Sequence, residues 1–265
     1  MKKYISIVLV LVLVVALAGC GGGAKGKLES ITKAGKMVVY MDPNFPPFEF
    51  MGSNGAEGVD VEIANAIGKE LGVDVEIQEA KFDSIVMAIK GGKGDIAISG
   101  MTITEDRKKS VDFSDPYIKS VQYLILNVDS DITTMEDLAG KKIGVAIGYT
   151  GSLLIDDEIN LEDGTLKGTG ATFTEYPSAM EATLDLNNNK VDCVVMDEYV
   201  AKNIAQSNDK VKTIELKYAN GDLAAEEYGV VVAQGNEELL EKINAVVKKL
   251  VDEGQIEKWI VQFAS

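Results

Sequence analysis

Gly58-Val59-Asp60-Val61-Glu62-Ile63-Ala64-Asn65-Ala66-Ile67 opens on a glycine and continues with apolar residues at helical spacing. Ile63, Ala66, Ile67 and, a turn later, Leu71 share one face, and Asp60 and Glu62 stand in the first turn, where the helix dipole favours acids. Before it, Met37-Val38-Val39-Tyr40 reads as a strand; after it, Val73, Val75 and Ile77 alternate as another. Phe82 to Lys90 reads as a helix stopped by Gly91-Gly92, and Asp95 to Ser99 as a buried strand. The second half repeats the pattern. Lys142 to Ile147 is a strand followed by a Gly-bearing turn and a helix, a helix can begin at Pro177, Val191 to Met196 is a strand, and Glu237 to Val251 is a helix. Alternation of this kind predicts an α/β fold with largely parallel sheets.

The 265 residues carry 26 Lys+Arg against 42 Asp+Glu, a net charge of −16. That balance argues against a nucleic-acid partner, because phosphate neutralisation needs clustered cations. Histidine is absent, which removes His-dependent triads and the usual His-bearing zinc sites. Lys2 and Lys3 precede an apolar run ending in Leu17-Ala18-Gly19-Cys20, the pattern of a signal peptide. Small residues before Cys20 resemble a bacterial lipobox, which implies cleavage after residue 19, lipidation of Cys20 and a mature charge of −18. Residues 20–35 are then expected to be a flexible tether, and Cys193, inside an apolar strand, a buried and inert thiol. The acidic run from Asp156 to Gly164 lacks the order of a calcium loop and reads as solvated, so no metal or cofactor is expected.

Several segments in series resemble bacterial extracellular solute-binding proteins, family 3, the amino-acid-binding components of ABC importers. They are the quoted helix start, Asp42-Pro43-Asn44-Phe45-Pro46-Pro47-Phe48, Ile98 to Thr104 leading to Arg107, Asp112-Phe113-Ser114-Asp115-Pro116-Tyr117, Gly148-Tyr149-Thr150-Gly151, and Asp192 to Asp197. The resemblance implies two α/β lobes, each a sheet flanked by helices, joined by two crossover strands in a Venus-flytrap fold. Lobe I would hold 36–118 and 228–265 and lobe II 121–218, with crossovers near Lys119-Ser120 and within 219–227.

The resemblance also implies a ligand site. Arg107 is the single arginine beside 25 lysines, and its planar fork would pair with the ligand α-carboxylate. Asp197, at a strand end, would hold the α-ammonium, although an aspartate there could equally cap the next helix. Ser99, Gly100 and Thr102 would contribute a carbonyl, a hydroxyl and backbone N–H groups; Thr150 would meet the carboxylate at a helix N-terminus. Phe45 and Phe82 would sandwich the ligand side chain, and Asp42 would contact its distal end. Asp42 and the lack of a second arginine favour a basic or polar uncharged amino acid, with Ile147 as an apolar wall.

The function expected is a lipid-anchored, monomeric receptor on the outer face of the cytoplasmic membrane. It would deliver a free amino acid to an ABC permease and its ATPase subunits without catalysis. Two rivals share the fold: a cyclohexadienyl-type dehydratase, which needs a positioned general acid, and a ligand-sensing partner of a membrane receptor.

Overall fold

The computed structural model describes residues 26–264, so the expected signal peptide and Cys20 lie outside the described residues. Helix α1 (Lys27–Ala34) buries Ile31 and ends on Gly35, whose φ of 66° is the left-handed cap that closes many helices. It packs against β1 and the long C-terminal helix, so the segment expected as tether is helical from Lys27. The reason is that Leu28 and Ile31 find apolar partners on the body.

The chain continues as β1 (Lys36–Met41), a small antiparallel meander of β2 (Asn44–Phe45), β3 (Glu49–Gly52) and β4 (Gly55–Glu57), then α2 (Val59–Leu71), β5 (Asp74–Glu79), α3 (Phe82–Lys90) and β6 (Ile96–Ala97). Next come α4 (Glu105–Lys108), β7 (Val111–Phe113) and the ten-residue β8 (Ile118–Asn127). Within the second lobe lie β9 (Lys142–Ala146), α5 (Thr150–Asn160), β10 (Thr172–Tyr176), α6 (Ala179–Asn187), β11 (Cys193–Asp197), α7 (Glu198–Gln206) and β12 (Val211–Glu215). The chain returns through β13 (Ala225–Tyr228) to β14 (Val231–Ala233), α8 (Glu237–Asp252) and α9 (Gln255–Phe263).

Two sheets result, ordered β5-β1-β6-β14-β7 and β10-β9-β11-β8-β12. Both are mixed, which corrects the largely parallel expectation. β1 runs parallel to β5 and β6, and β9 parallel to β10 and β11, whereas β14 and β8 run antiparallel to their neighbours. The antiparallel members are the strands that enter each lobe from the other, so the direction of crossing sets theirs. The crossover is β8 paired with β13, Ser120 opposite Glu226 and Lys119 opposite Glu227. A buried apolar cluster runs from Ile31 to Ile256, and a second, around Leu124, Ile143 and Leu166, fills the far side of the second sheet and takes in Cys193.

Regular pairing covers only Ile96–Ala97 of the strand expected over Asp95 to Ser99. Past it the chain bends out at Gly100, where φ is +50° and a Cβ would collide with the Phe45 ring. Asp156 to Glu158 belong to α5, where Glu158 accepts from Tyr218 Oη and Thr165 N at 2.6 Å each, while Asp156, Asp157, Glu162 and Asp163 are exposed, so the stretch is solvated as expected but begins in a helix. Among the described residues no trio of His, Cys, Asp or Glu is placed to hold a metal, and no helix is long and apolar enough to cross a membrane.

Candidate functional site

The expected site residues gather where strands of the two sheets end. Asp42 follows β1, Ser99 and Gly100 follow β6, Thr150 lies past β9, and Asp197 closes β11. These are carboxyl ends of strands, the edge where open α/β sheets present ligands.

On the first lobe, Asp42 is buried and acts as a bracket. Its Oδ2 accepts from Phe82 N at 3.1 Å, capping α3, and its Oδ1 accepts from Asn44 Nδ2 at 2.6 Å. Burial is the main cause that pushes its carboxyl above the ordinary range. Ser99 faces away from the cleft: its hydroxyl donates to Glu49 Oε1 at 2.7 Å and accepts from Asp42 N at 3.0 Å. Gly100 N is spent on Asp60 Oδ2 at 2.7 Å, which also accepts from Tyr117 Oη. Thr102 is buried, its carbonyl taken by Arg107 and its hydroxyl directed at that of Thr150.

Arg107 is 8% exposed and bridges the lobes. Its Nη1 donates to Thr102 O at 2.7 Å and its Nη2 to Gly148 O at 3.0 Å, with the guanidinium 5.3 Å from the Phe82 ring centroid. Burial lowers its pKa, and the charges of Asp197 and then Glu226 counter that. The flanking Lys108 and Lys109 are exposed and pair locally with Glu105 and Asp106, the surface behaviour that Arg107 does not share.

On the second lobe, Asp197 is 1% exposed and accepts from Gln122 Nε2 at 2.8 Å and Tyr228 Oη at 2.6 Å. It makes no side-chain cap to α7, so capping does not account for it. Burial raises its carboxyl pKa, and the bonds from Tyr228 and Gln122 oppose the rise. Thr150 stands at the first position of α5, its hydroxyl 3.4 Å from those of Thr102 and from Gln122 Nε2.

Phe45 and Phe82 both stack on the same ring, that of Tyr149. The centroids lie 3.9 Å apart for Phe82 and 5.6 Å for Phe45, with interplanar angles of 15° and 21°. Phe45 has no exposed surface and Phe82 only 5%, so Tyr149 covers the ring faces expected to sandwich a ligand side chain. Sequence reasoning missed Tyr149, Gln122, Glu226 and Tyr228. Gln122 carried a faint signal, a lone amide in the apolar run Tyr123-Leu124-Ile125-Leu126 and its approach; Glu226 carried none, lying in an acidic pair.

Beside this cluster a cleft of about 550 Å³ is lined from both lobes by Asp42, Asn44, Glu79, Lys81, Asp83 and Ile147. Its charged lining is three carboxylates and one lysine. The site therefore has a guanidinium on one wall, a buried carboxylate on the other and an acidic mouth. Opposite charges on facing walls are complementary to the two poles of a zwitterion.

The sequence profile of bacterial extracellular solute-binding proteins, family 3, matches residues 37–264. The chain belongs to this family. The arginine-binding extracellular protein ArtP of Bacillus subtilis is 30% identical over 259 residues, 97% of this chain and 96% of the relative. The amino-acid ABC transporter substrate-binding protein AbpA of Streptococcus pneumoniae, solved bound to L-arginine, superposes with a TM-score of 0.80 at 30% identity, covering 89% of this chain and 97% of that one. An ancestral amino-acid-binding protein, described as a precursor of cyclohexadienyl dehydratase, gives 0.79 at 32% identity, covering 91% and 100%. Like other family-3 proteins, the chain is a solute-binding protein of two α/β lobes.

Proposed function

We propose that this protein captures a basic L-amino acid, arginine foremost, between its lobes and hands it to an ABC permease. The observation that carries the reading is the meeting of Arg107 and Asp197, one from each lobe, both buried and each in the other's field. A ligand carboxylate would take over the Arg107 donors now used by Thr102 O and Gly148 O, and the ammonium would sit on Asp197. Asp42, Glu79 and Asp83 at the cleft would suit a cationic side chain. The relatives named as arginine-binding support the same choice. Binding energy gained from both lobes at once is what would favour their closure.

The chain acts without catalysis in this reading, as a monomer tethered through lipidated Cys20 outside the cytoplasmic membrane. The dehydratase alternative, which the likeness to a dehydratase precursor keeps in view, requires turnover of prephenate or arogenate. Calorimetry of the full chain with L-arginine tests the binding reading. Arg107→Ala is expected to weaken binding at least about tenfold, since a charge-assisted bidentate pair contributes about 1.5–3 kcal/mol; unchanged affinity would contradict the assignment.

A further inference from the structure

We propose that Glu226 is a second carboxyl at the ammonium pole of the cleft, holding a proton against Asp197 and releasing it to solvent when a ligand ammonium enters. This rests on the amino-acid reading above and adds a proton to its chemistry.

The crossover register places Glu226 inward. It lies opposite Ser120 on β8, while its neighbour Glu227 faces out and pairs with Lys119. Glu226 is 8% exposed and stands beside Asp197, the Thr150 hydroxyl and the Gln122 amide. Two acceptors there, Glu226 Oε2 and Gln122 Oε1, are buried with no hydrogen-bond partner. Both Asp197 oxygens are already engaged by Gln122 and Tyr228. With Glu226 ionised, acceptors outnumber donors at this spot, a deficit that a proton on Glu226 relieves only in part because Gln122 Oε1 stays unpaired. A group bearing several N–H donors and a positive charge removes the deficit, and an α-ammonium is such a group.

Two carboxyls this deep do not both ionise without a cation bonded to them directly, and Arg107 spends Nη1 and Nη2 on Thr102 O and Gly148 O instead. The titratable groups facing Glu226 are Asp197 from β11, Arg107 from α4 and Tyr228 from its own strand. Burial first, then the Asp197 charge, raises the Glu226 carboxyl well above its ordinary range, and a proton held there favours an ionised Asp197. When a ligand carboxylate occupies Arg107, the ammonium becomes the balancing cation. The Glu226 O–H bond then breaks, its proton passes to bulk water, and both carboxylates face the ammonium.

The test is calorimetry of the detergent-purified full chain with L-arginine, between about pH 5 and 7, in buffers of differing ionisation enthalpy. Over that range the ligand's own charges stay fixed. Release approaching one proton per bound arginine is expected, with affinity rising up to about tenfold per pH unit. Glu226→Gln is expected to bind with neither dependence; Glu226→Met replaces it should the first variant fail to fold. Binding without proton release in the wild type, or full release in either variant, overturns the proposal and leaves the amino-acid reading standing. No heat from arginine or any other amino acid removes both.

Discussion

Arg107 donates to carbonyls on both lobes, so it already spans the interface that a ligand carboxylate would complete. A lysine carries the same charge but one compact head, and cannot hold two divergent acceptors in a plane. Arg107→Lys is accordingly expected to weaken L-arginine binding about tenfold or more, read by calorimetry; retained affinity would mean that charge alone suffices. Tyr149 leads to the opposite expectation. Its ring covers the faces of Phe45 and Phe82 that a ligand side chain would use, and an aromatic pair contributes about 0.5–1.5 kcal/mol. Tyr149→Ala should therefore tighten arginine binding by roughly two- to tenfold, converting that energy at 1.4 kcal/mol per tenfold. A loss of affinity would instead make the phenol a ligand contact. Arg107, Asp197 and Thr150 were legible because each combines a distinctive residue type with a strand end or helix start. Tyr149 was not: its identity is visible in Gly148-Tyr149-Thr150-Gly151, but the ring's partners lie on the other lobe.

The quoted helix start shows what an element hides. Asp60 does sit in the first turn of α2, yet it is wholly buried and bonded to Gly100 N and Tyr117 Oη rather than to solvent. Glu49 from β3 lies against it and reaches Ser99, so two acids from separate elements hold the loop that follows β6. Periodicity located the helix and its apolar face; it carries no information on a contact some forty residues away in sequence. Burial raises Asp60 to about 6 and Glu49 well above its ordinary value. For acids raised on folding, the associated stability is complete below their unfolded values near 4 and is lost as pH climbs through the folded ones. Thermal melts should show the wild type losing more stability than Glu49→Gln between about pH 4 and 7. A constant gap between the two curves would contradict a Glu49 carboxyl raised on folding.

Across the whole molecule, strand–helix alternation was enough to predict α/β architecture, the division into two lobes came from the family resemblance, and strand direction was not legible. β8 and β14 owe their antiparallel sense to the crossovers, a long-range fact that a run of apolar residues does not encode. The lobes touch through Arg107 and Gly148 O and through Phe82 and Tyr149, and one glycine lies in that contact. Gly148 has φ of +79°, and a Cβ there would stand 3.1 Å from the Asp83 Cβ of the other lobe. Gly148→Ala adds backbone strain of about 1–2 kcal/mol and crowds the closed contact. Small-angle scattering should report a larger radius of gyration for this variant in the presence of arginine; an unchanged radius would show that closure tolerates the methyl group.

In the proposed function, an amino acid with a cationic side chain is held across the cleft between Arg107 and Asp197. Thermal melting of the full chain against all twenty amino acids tests it most directly. A ligand at about 100 times its dissociation constant adds about 2.7 kcal/mol of stability. The largest upward shift is expected with L-arginine, smaller shifts with other basic side chains and none with aspartate or glutamate. A flat panel from folded protein, or glutamate as the strongest ligand, would contradict it.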